Sequence, residues 1–467
     1  MRLFDLLITR LFIILLLMSC SDFLEEKSQD EVIPTSVSDY NEMFLPLLQS
    51  QMDNMIYYMD DDVAIDESQF WGDNEDWTAS SHTGDFTWQP DMWERGNTSM
   101  YSWEYTETYN IINGMNVILW GVEDALGTDT EKELVRAKAL VIRAYNYLIL
   151  VNLFGEPYNY NKEAPGIVLK SKIINEAAMA RSTVSEVYEQ IVEDLETASA
   201  IFAKYPKTRG DYMPNTTATD IILSRVYLYM EKWDEAITAA DRAIASSEGL
   251  TNYTTLPEGH YYMTSYDNAE VEWLFASTRM DQLFIPSESL MALFDEHDRR
   301  QDFLVHDGSD GWMISGIIKK NSEKLGGPNV MIRTAEAFLN RAEAKVLAEA
   351  SDTEGALKDL NELRRHRILG YQDVSITDPT LLLEEIRNER RLELCFEGHR
   401  WYDLRRYGMP AIHHDFRTSL ANPLLRYTLQ EKDPLYTLPF PSVVVDNNVL
   451  LEQNVSALEP IRGGAPL

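Results

Sequence analysis

Residues 384–407 read EEIRNERRLELCFEGHRWYDLRRY and interleave acidic, basic and aromatic side chains. Charges of both signs recur at three- and four-residue spacing, which predicts a helix with ion pairs along its surface. Gly398 is placed to close that helix, and a short aromatic segment follows it. The arginines could bind an anion, but neighbouring carboxylates favour internal neutralisation and a structural role. The carboxylates in question are Glu389, Glu393, Glu397 and Asp403.

Two stretches upstream, 217–248 and 331–367, match the 34-residue tetratricopeptide template of paired helices. Small residues stand where two antiparallel helices must approach closely: Ser224, Ala236, Ala243, Ala342 and Ala356. A looser third candidate pairs 131–153 with 183–205. A generic helical hairpin would also satisfy the template, because alanine-rich amphipathic helices match it easily. The fold predicted from these patterns is mostly α, with tetratricopeptide-like hairpins and long irregular, aromatic-rich loop insertions.

Those insertions are 60–97 and 249–330, where aromatic residues are scattered among Gly, Asp, Asn, Ser and Thr. Loops of this length are uncommon unless they are functional. We predict a helical region over 41–248 that contains the loop 60–97, and a second region over 249–467 that contains the other insert. The two regions are expected to form one compact body.

The whole chain has 467 residues, of which 45% are apolar, an ordinary globular composition. Its 41 Lys and Arg against 76 Asp and Glu give a net charge of −35. Such a surface repels polyanions, so nucleic acid is excluded as a partner. Ten Trp, 24 Tyr and 16 Phe supply a large amount of flat apolar surface.

The N-terminus carries an apolar run from Leu11 to Met18 after two arginines. The run is too short to span a membrane, and its pattern predicts a signal peptide over 1–19. Cys20 at its edge is the predicted lipidation site, since the preceding residues match a lipobox; the alternative is an ordinary cleavage site with a coincidental cysteine. Residues 20–40 are expected to form a lipidated flexible tether.

The run I-R-N-E-R-R-L-E-L-x-F-E-G-x-R-W-Y-D-L-R-R at 386–406 closely resembles the C-terminal signature of the SusD/RagB family of outer-membrane lipoproteins. Four other parts resemble the family in the same order along the chain: 20–25, 103–116, 290–300 and 333–344. The resemblance implies a non-enzymatic, lipid-anchored protein exposed on the cell surface at the outer membrane. It further implies that the protein captures oligosaccharides, or in some members peptides, and passes them to a SusC-like TonB-dependent transporter. In that arrangement an arc of exposed aromatic side chains stacks on sugar rings, and the tetratricopeptide side faces the transporter.

The loop 60–97 offers the mixture that carbohydrate recognition needs, because the apolar face of a sugar ring stacks on aromatics and its hydroxyl rim binds polar groups. The candidate ligand-binding residues are Trp71, Trp77, Trp88, Trp93, Asp73 and Asn74. The alternative for any one of these tryptophans is that it pins the loop to the body, since Trp is usually well buried. We expect at least one of them to touch ligand.

Neither a metal nor a cofactor is predicted. Asp60-Asp61-Asp62 and the run 307–311 have clustered oxygens that calcium favours, but 307–311 departs from the EF-hand pattern. His413 and His414 are adjacent, which does not suit zinc. No common catalytic motif occurs in the sequence. The leading hypothesis is therefore glycan capture, with peptide capture and a surface endo-glycosidase as alternatives.

Overall fold

The computed structural model describes residues 34–45, 55–70, 72–95, 101–170, 178–256, 264–276, 283–304 and 330–467. Helices dominate these residues, as the sequence predicts. The α-helices are α1 Val37–Glu42, α2 Met55–Met59, α3 Trp77–Ser81, α4 Thr83–Phe86, α5 Tyr101–Gly121, α6 Asp129–Phe154, α7 Tyr158–Asn161, α8 Val184–Lys204, α9 Thr216–Tyr229, α10 Trp233–Ser246, α11 Glu288–Met291, α12 Gln301–Leu304, α13 Thr334–Leu347, α14 Thr353–Arg365, α15 Pro379–Leu394, α16 Arg400–Arg406 and α17 Ser442–Asn447. None of the described helices combines the length and apolar composition that a membrane crossing requires.

The longest helices begin at the signals that the sequence carries. Thr128 caps α6 and Thr183 caps α8, and in both cases a glutamate three residues on completes a capping box. The α6 helix ends at Phe154, directly before Gly155. Helix α5 packs against α6, and α6 packs against α8. The helices of the looser candidate pair, predicted over 131–153 and 183–205, are therefore confirmed.

Two helical hairpins follow, α9 with α10 and α13 with α14. Three residues join the helices of the first hairpin, and five residues join those of the second. The small residues predicted at the helix contacts are fully or almost fully buried: Ser224, Ala236, Ala243, Ala342 and Ala356. The hairpins lie where the sequence predicts them, and their assignment as tetratricopeptide repeats stays a prediction.

Strands are few and short among the described residues, and they form three antiparallel sheets. β1 (Val63–Ile65) pairs with β3 (Phe284–Pro286), with Ala64 opposite Ile285. β2 (Val271–Phe275) pairs with β4 (Val330–Arg333) around a register shift between Val271 and Trp273. The third sheet has the order β5 (Ile412–Phe416), β6 (Leu425–Leu429), β7 (Ala465–Pro466). The first sheet thus joins one predicted insertion to the other.

Helix α15 ends at Leu394, four residues before the predicted stop at Gly398. Cys395 already has extended backbone angles, with φ −55° and ψ 139°. Gly398, at φ +80°, lies instead in the turn that leads into α16. The aromatic segment that follows forms α16, and Trp401 on it is fully buried.

Among the described residues the apolar core has one large cluster, a smaller one that includes residues of the predicted aromatic loop, and three minor ones. The large cluster is built from α5 to α10 together with residues of the C-terminal 401–451 region. The smaller cluster lies under residues 57–86 and includes Tyr58, Phe70, Phe86, Phe284 and Phe416. Residues of the predicted aromatic loop 60–97 therefore enter both clusters, since Trp88, Met92 and Trp93 belong to the large one. The described parts of the loop consist of short elements joined by turns.

Candidate ligand-binding surface

The charge pattern predicts that the arginines of α15 pair along the surface of their own helix. In the structure they pair with residues of other elements instead. Arg387 donates to Glu343 at 3.0 Å, Arg390 to Asp403 at 2.8 Å and Arg391 to Asp62 at 2.6 Å. The predicted pairing is wrong because α15 is packed inside the body, where its charges need partners that are equally buried. Internal neutralisation, the structural interpretation of these arginines, agrees with the contacts.

Asp60, Asp61 and Asp62 lie close enough together to hold a cation, with one carboxylate oxygen from each within 4.8 Å of the others. Arg400 nevertheless binds Asp61 through two hydrogen bonds of 2.7 and 2.9 Å, while Arg391 binds Asp62. Burial acts to raise the pKa of Asp61, but Arg400 overrides it and lowers this pKa to about 2. Two of the three carboxylates therefore already pair with arginines.

Trp88 and Trp93, two of the candidate ligand-binding residues, are buried. The indole N–H of Trp88 donates to the main-chain oxygen of Met59 at 2.9 Å, and that of Trp93 donates to the oxygen of Pro439 at 2.7 Å. Trp88 is 0% exposed and has left-handed backbone angles, with φ +50°. Neither ring presents a face to a ligand, so both tryptophans pin the segment to the body, which corrects their assignment as stacking residues.

His414 completes this anchoring. Its ring stacks between Phe86 and Trp88, with centroid distances of 4.0 and 4.4 Å. Its two ring nitrogens lie 2.7 Å from the main-chain oxygens of Phe86 and Asp60. Burial lowers the pKa of His414. The segment that carries the candidate residues is thereby held at several points to the third sheet.

Trp77 differs from these two tryptophans because its side chain is 68% exposed. It is the first residue of α3, whose N-cap Asp76 accepts a hydrogen bond from the Ala79 amide at 2.9 Å. At the far end of the helix Ser81 donates to the main-chain oxygen of Trp77 at 2.8 Å. Trp77 therefore presents its ring to solvent from a backbone that is fixed by capping.

Polar side chains border this ring. Asp73 and Asn74 precede it and are exposed, and Ser80 donates to the exposed Glu75 at 3.1 Å. The candidate residues Asp73, Asn74 and Trp77 are thus brought together on one stretch of surface. Cys20 and Trp71 lie outside the described residues.

The turn between β5 and β6 forms the other border. The Asp76 amide donates to the main-chain oxygen of Thr418 at 2.7 Å, and Arg417 donates to Glu67 at 2.8 Å. We call residues 66–69, 72–81 and 417–422 the Trp77 surface. The contribution of 417–422 is not among the sequence predictions, although Asn422-Pro423 between two apolar runs is a signal for a hairpin turn.

The chain is similar to proteins of a known family. Residues 22–228 match a family model described as "Starch-binding associating with outer membrane", and residues 309–456 match the SusD family model. SusD-like protein P2 of Formosa agariphila is 23% identical to the chain over 417 residues, an alignment that covers 76% of this chain and 80% of that protein.

Solved structures have the same fold. A SusD superfamily protein from Bacteroides thetaiotaomicron superposes with a TM-score of 0.71 at 22% identity, covering 90% of this chain and 100% of the other. A laminarin-binding SusD-like protein superposes with a TM-score of 0.64 at 18% identity, covering 90% and 99%. With the signature at 386–406 and the helical architecture described above, these matches show that the chain belongs to the SusD/RagB family of SusD-like, carbohydrate-binding proteins.

Proposed function

We propose that this protein is a cell-surface lipoprotein that binds oligosaccharides on the Trp77 surface and delivers them to a SusC-like TonB-dependent transporter in the outer membrane. The observation that carries the proposal is the exposed indole of Trp77 beside polar side chains. An indole face covers the apolar side of a sugar ring, while carboxylate, amide and hydroxyl groups bind the ring hydroxyls.

Rigidity of the surface supports this function. The N-cap of α3, the Asp76–Thr418 hydrogen bond and the His414 stack fix the segment that carries Trp77. Binding therefore orders few new side chains, which removes part of the entropic cost of association.

Two features of the chain support the delivery step. The predicted lipid anchor at Cys20 would hold the protein beside the outer membrane, and no common catalytic or energy-coupling motif occurs in the sequence. Captured glycan then needs a partner with a pore. The exposed faces of the hairpins offer an extended helical surface for contact with that transporter.

Glycan binding is tested by affinity electrophoresis and calorimetry against laminarin, starch and galactomannan, with a peptide digest alongside and product formation followed by chromatography. Binding of a polysaccharide without turnover is the expected result. Binding of the digest alone would favour the peptide-capture alternative, and release of shorter oligosaccharides would favour an endo-glycosidase.

Delivery is tested in the native membrane. After mild detergent solubilisation and purification through a tag at Leu467, a transporter-sized barrel should co-purify with the protein. Cys20→Ala should release the protein from the outer-membrane fraction. If the barrel is absent, or if the Cys20→Ala protein stays in the outer membrane, the corresponding part of the proposal fails.

A further inference from the structure

Segment 60–97, which carries Trp77, is unusually acidic. It has eleven Asp and Glu but a single basic residue, Arg95. Several of these carboxylates are neutralised within the fold, since Asp61 and Asp62 pair with arginines and Glu67 pairs with Arg417. The charge that a ligand meets is therefore that of the carboxylates near Trp77 that are not paired with arginines.

That remainder is negative. Asp73 and Glu75 are exposed, and neither makes an ion pair with any described residue. Asp66 and Asp76 accept hydrogen bonds from main-chain amides, and no arginine or lysine is bound to either within the described parts of the chain. Four carboxylates thus lie on the Trp77 surface with no counter-charge bound to them by any residue that the structure describes.

The one described cation on this surface is already engaged. Arg417 donates from Nε to Glu67 Oε1 at 2.8 Å and from Nη2 to Glu67 Oε2 at 2.5 Å, and its Nη1 faces main-chain oxygens of the same turn. A bidentate pair of this kind leaves little donor capacity for a ligand. A glycan carboxylate or sulfate would find no free guanidinium among the described residues of this surface.

From these charges we infer that the Trp77 surface selects uncharged glycans and rejects glycans that carry carboxylate or sulfate groups. The inference rests on the proposed function, because it names the ligand class of the same site. Hydroxyl groups of a neutral sugar can donate to Asp73, Glu75 and the Asn74 oxygen, whereas an anionic group meets like charge at the two carboxylates. The repulsion between exposed charges acts over about one Debye length, so it weakens as salt is added.

Laminarin and laminarin that has been partially sulfated test the inference, because the two polysaccharides share one backbone and differ in charge. Starch, galactomannan, alginate and heparin complete the panel, which is measured by calorimetry at low and at high ionic strength. We expect neutral polysaccharide to bind at least tenfold more tightly than the anionic ones at low ionic strength, with the difference reduced at high ionic strength.

Sulfation also removes hydroxyl groups, so a charge variant separates repulsion from lost hydrogen bonds. Asp73→Asn with Glu75→Gln should reduce the discrimination against sulfated laminarin at least threefold. Glu123→Gln with Asp124→Asn, an equal charge change at exposed positions next to Trp120, should leave it unchanged.

The outcomes of these measurements distinguish failure of the neutral-glycan inference from failure of the proposed function. Preferential binding of alginate, heparin or sulfated laminarin would overturn the neutral-glycan inference and leave glycan capture intact. The inference would also be overturned if neutral glycan binds but neither added salt nor the Asp73→Asn/Glu75→Gln change alters the discrimination against sulfated laminarin. Failure of every polysaccharide to bind would remove the proposed function itself.

Discussion

Arg367 and Glu393 form a bidentate ion pair in the core, with Nε to Oε2 and Nη2 to Oε1 both at 2.9 Å, and neither side chain is exposed by more than 1%. Arg300 donates to the same carboxylate at 2.9 Å, and Arg333 is bound to it as well. Glu393 on α15 therefore binds three arginines from distant parts of the chain. One lies directly before α12, one at the end of β4 and one after α14. A residue of the family signature at 386–406 thus lies at the centre of a buried ionic network.

Replacing Glu393 with Gln should lower the free energy of unfolding by roughly 3–5 kcal/mol, because three buried guanidiniums would lose their shared carboxylate. Burial opposes ionisation of Glu393, but Arg367, Arg333 and Arg300 hold its pKa well below the usual range. Denaturant unfolding measures the change. Glu384→Gln on the exposed face of the same helix is the control and should change stability by about 0.5 kcal/mol or less. Equal effects of the two changes would contradict a structural role for the network.

The helices could be predicted from the sequence because capping boxes and apolar periodicity are local signals, as at Thr128 and Thr183. The partners of the charged residues could not, since an arginine such as Arg391 pairs with Asp62 over 300 positions away, and periodicity contains no information about that. The same limit applies to the tryptophans. Trp77 and Trp88 stand in equally polar sequence, and only the tertiary structure leaves one exposed and buries the other.

The α9–α10 contact is tested by Ala236→Leu. Ala236 is 0% exposed where the helices meet, so added methyl groups would force the helices apart or push side chains from their rotamers. We expect a loss of about 1–3 kcal/mol, visible as a lower melting temperature. Ala245→Leu, at an exposed position of the same helix, should leave the melting temperature nearly unchanged. An unchanged melting temperature for Ala236→Leu would count against close packing at this position.

Glu272 should make stability depend on pH. Burial raises its pKa to about 7 from the usual value of about 4.5, although Asn215, the N-cap of α9, donates to its carboxylate at 2.9 Å. The folded state then binds more protons than the unfolded state between these two pKa values, so stability falls as pH rises through that window, by roughly 3 kcal/mol in total.

Glu272→Gln removes the titration and keeps an acceptor oxygen for Asn215. The variant should be more stable than the wild type above pH ~7, whereas below pH ~4 the two proteins should be alike, because Glu272 is then protonated in both the folded and the unfolded state. Denaturant unfolding across this range gives the result. A stability difference that is the same at every pH would show that Glu272 titrates normally.

Ligand binding should depend on Trp77 and not on exposed tryptophan in general. Removing a ring that stacks on a sugar gives up apolar contact worth about 25 cal/mol per Å², so the loss of even half of an indole's contact area predicts at least a tenfold weaker glycan affinity. Because Trp77 is 68% exposed, Trp77→Ala should leave the melting temperature nearly unchanged.

Trp120→Ala is the matched control, since Trp120 on α5 is 78% exposed and lies outside the Trp77 surface. It should bind glycan as the wild type does. Trp88→Ala should instead lower stability by about 3–5 kcal/mol and weaken binding as a consequence, because Trp88 holds the segment that carries Trp77 through its bond to Met59 and its stack with His414. If Trp77→Ala binds normally while Trp120→Ala does not, the ligand stacks on another part of the molecule, and the assignment of the Trp77 surface is wrong.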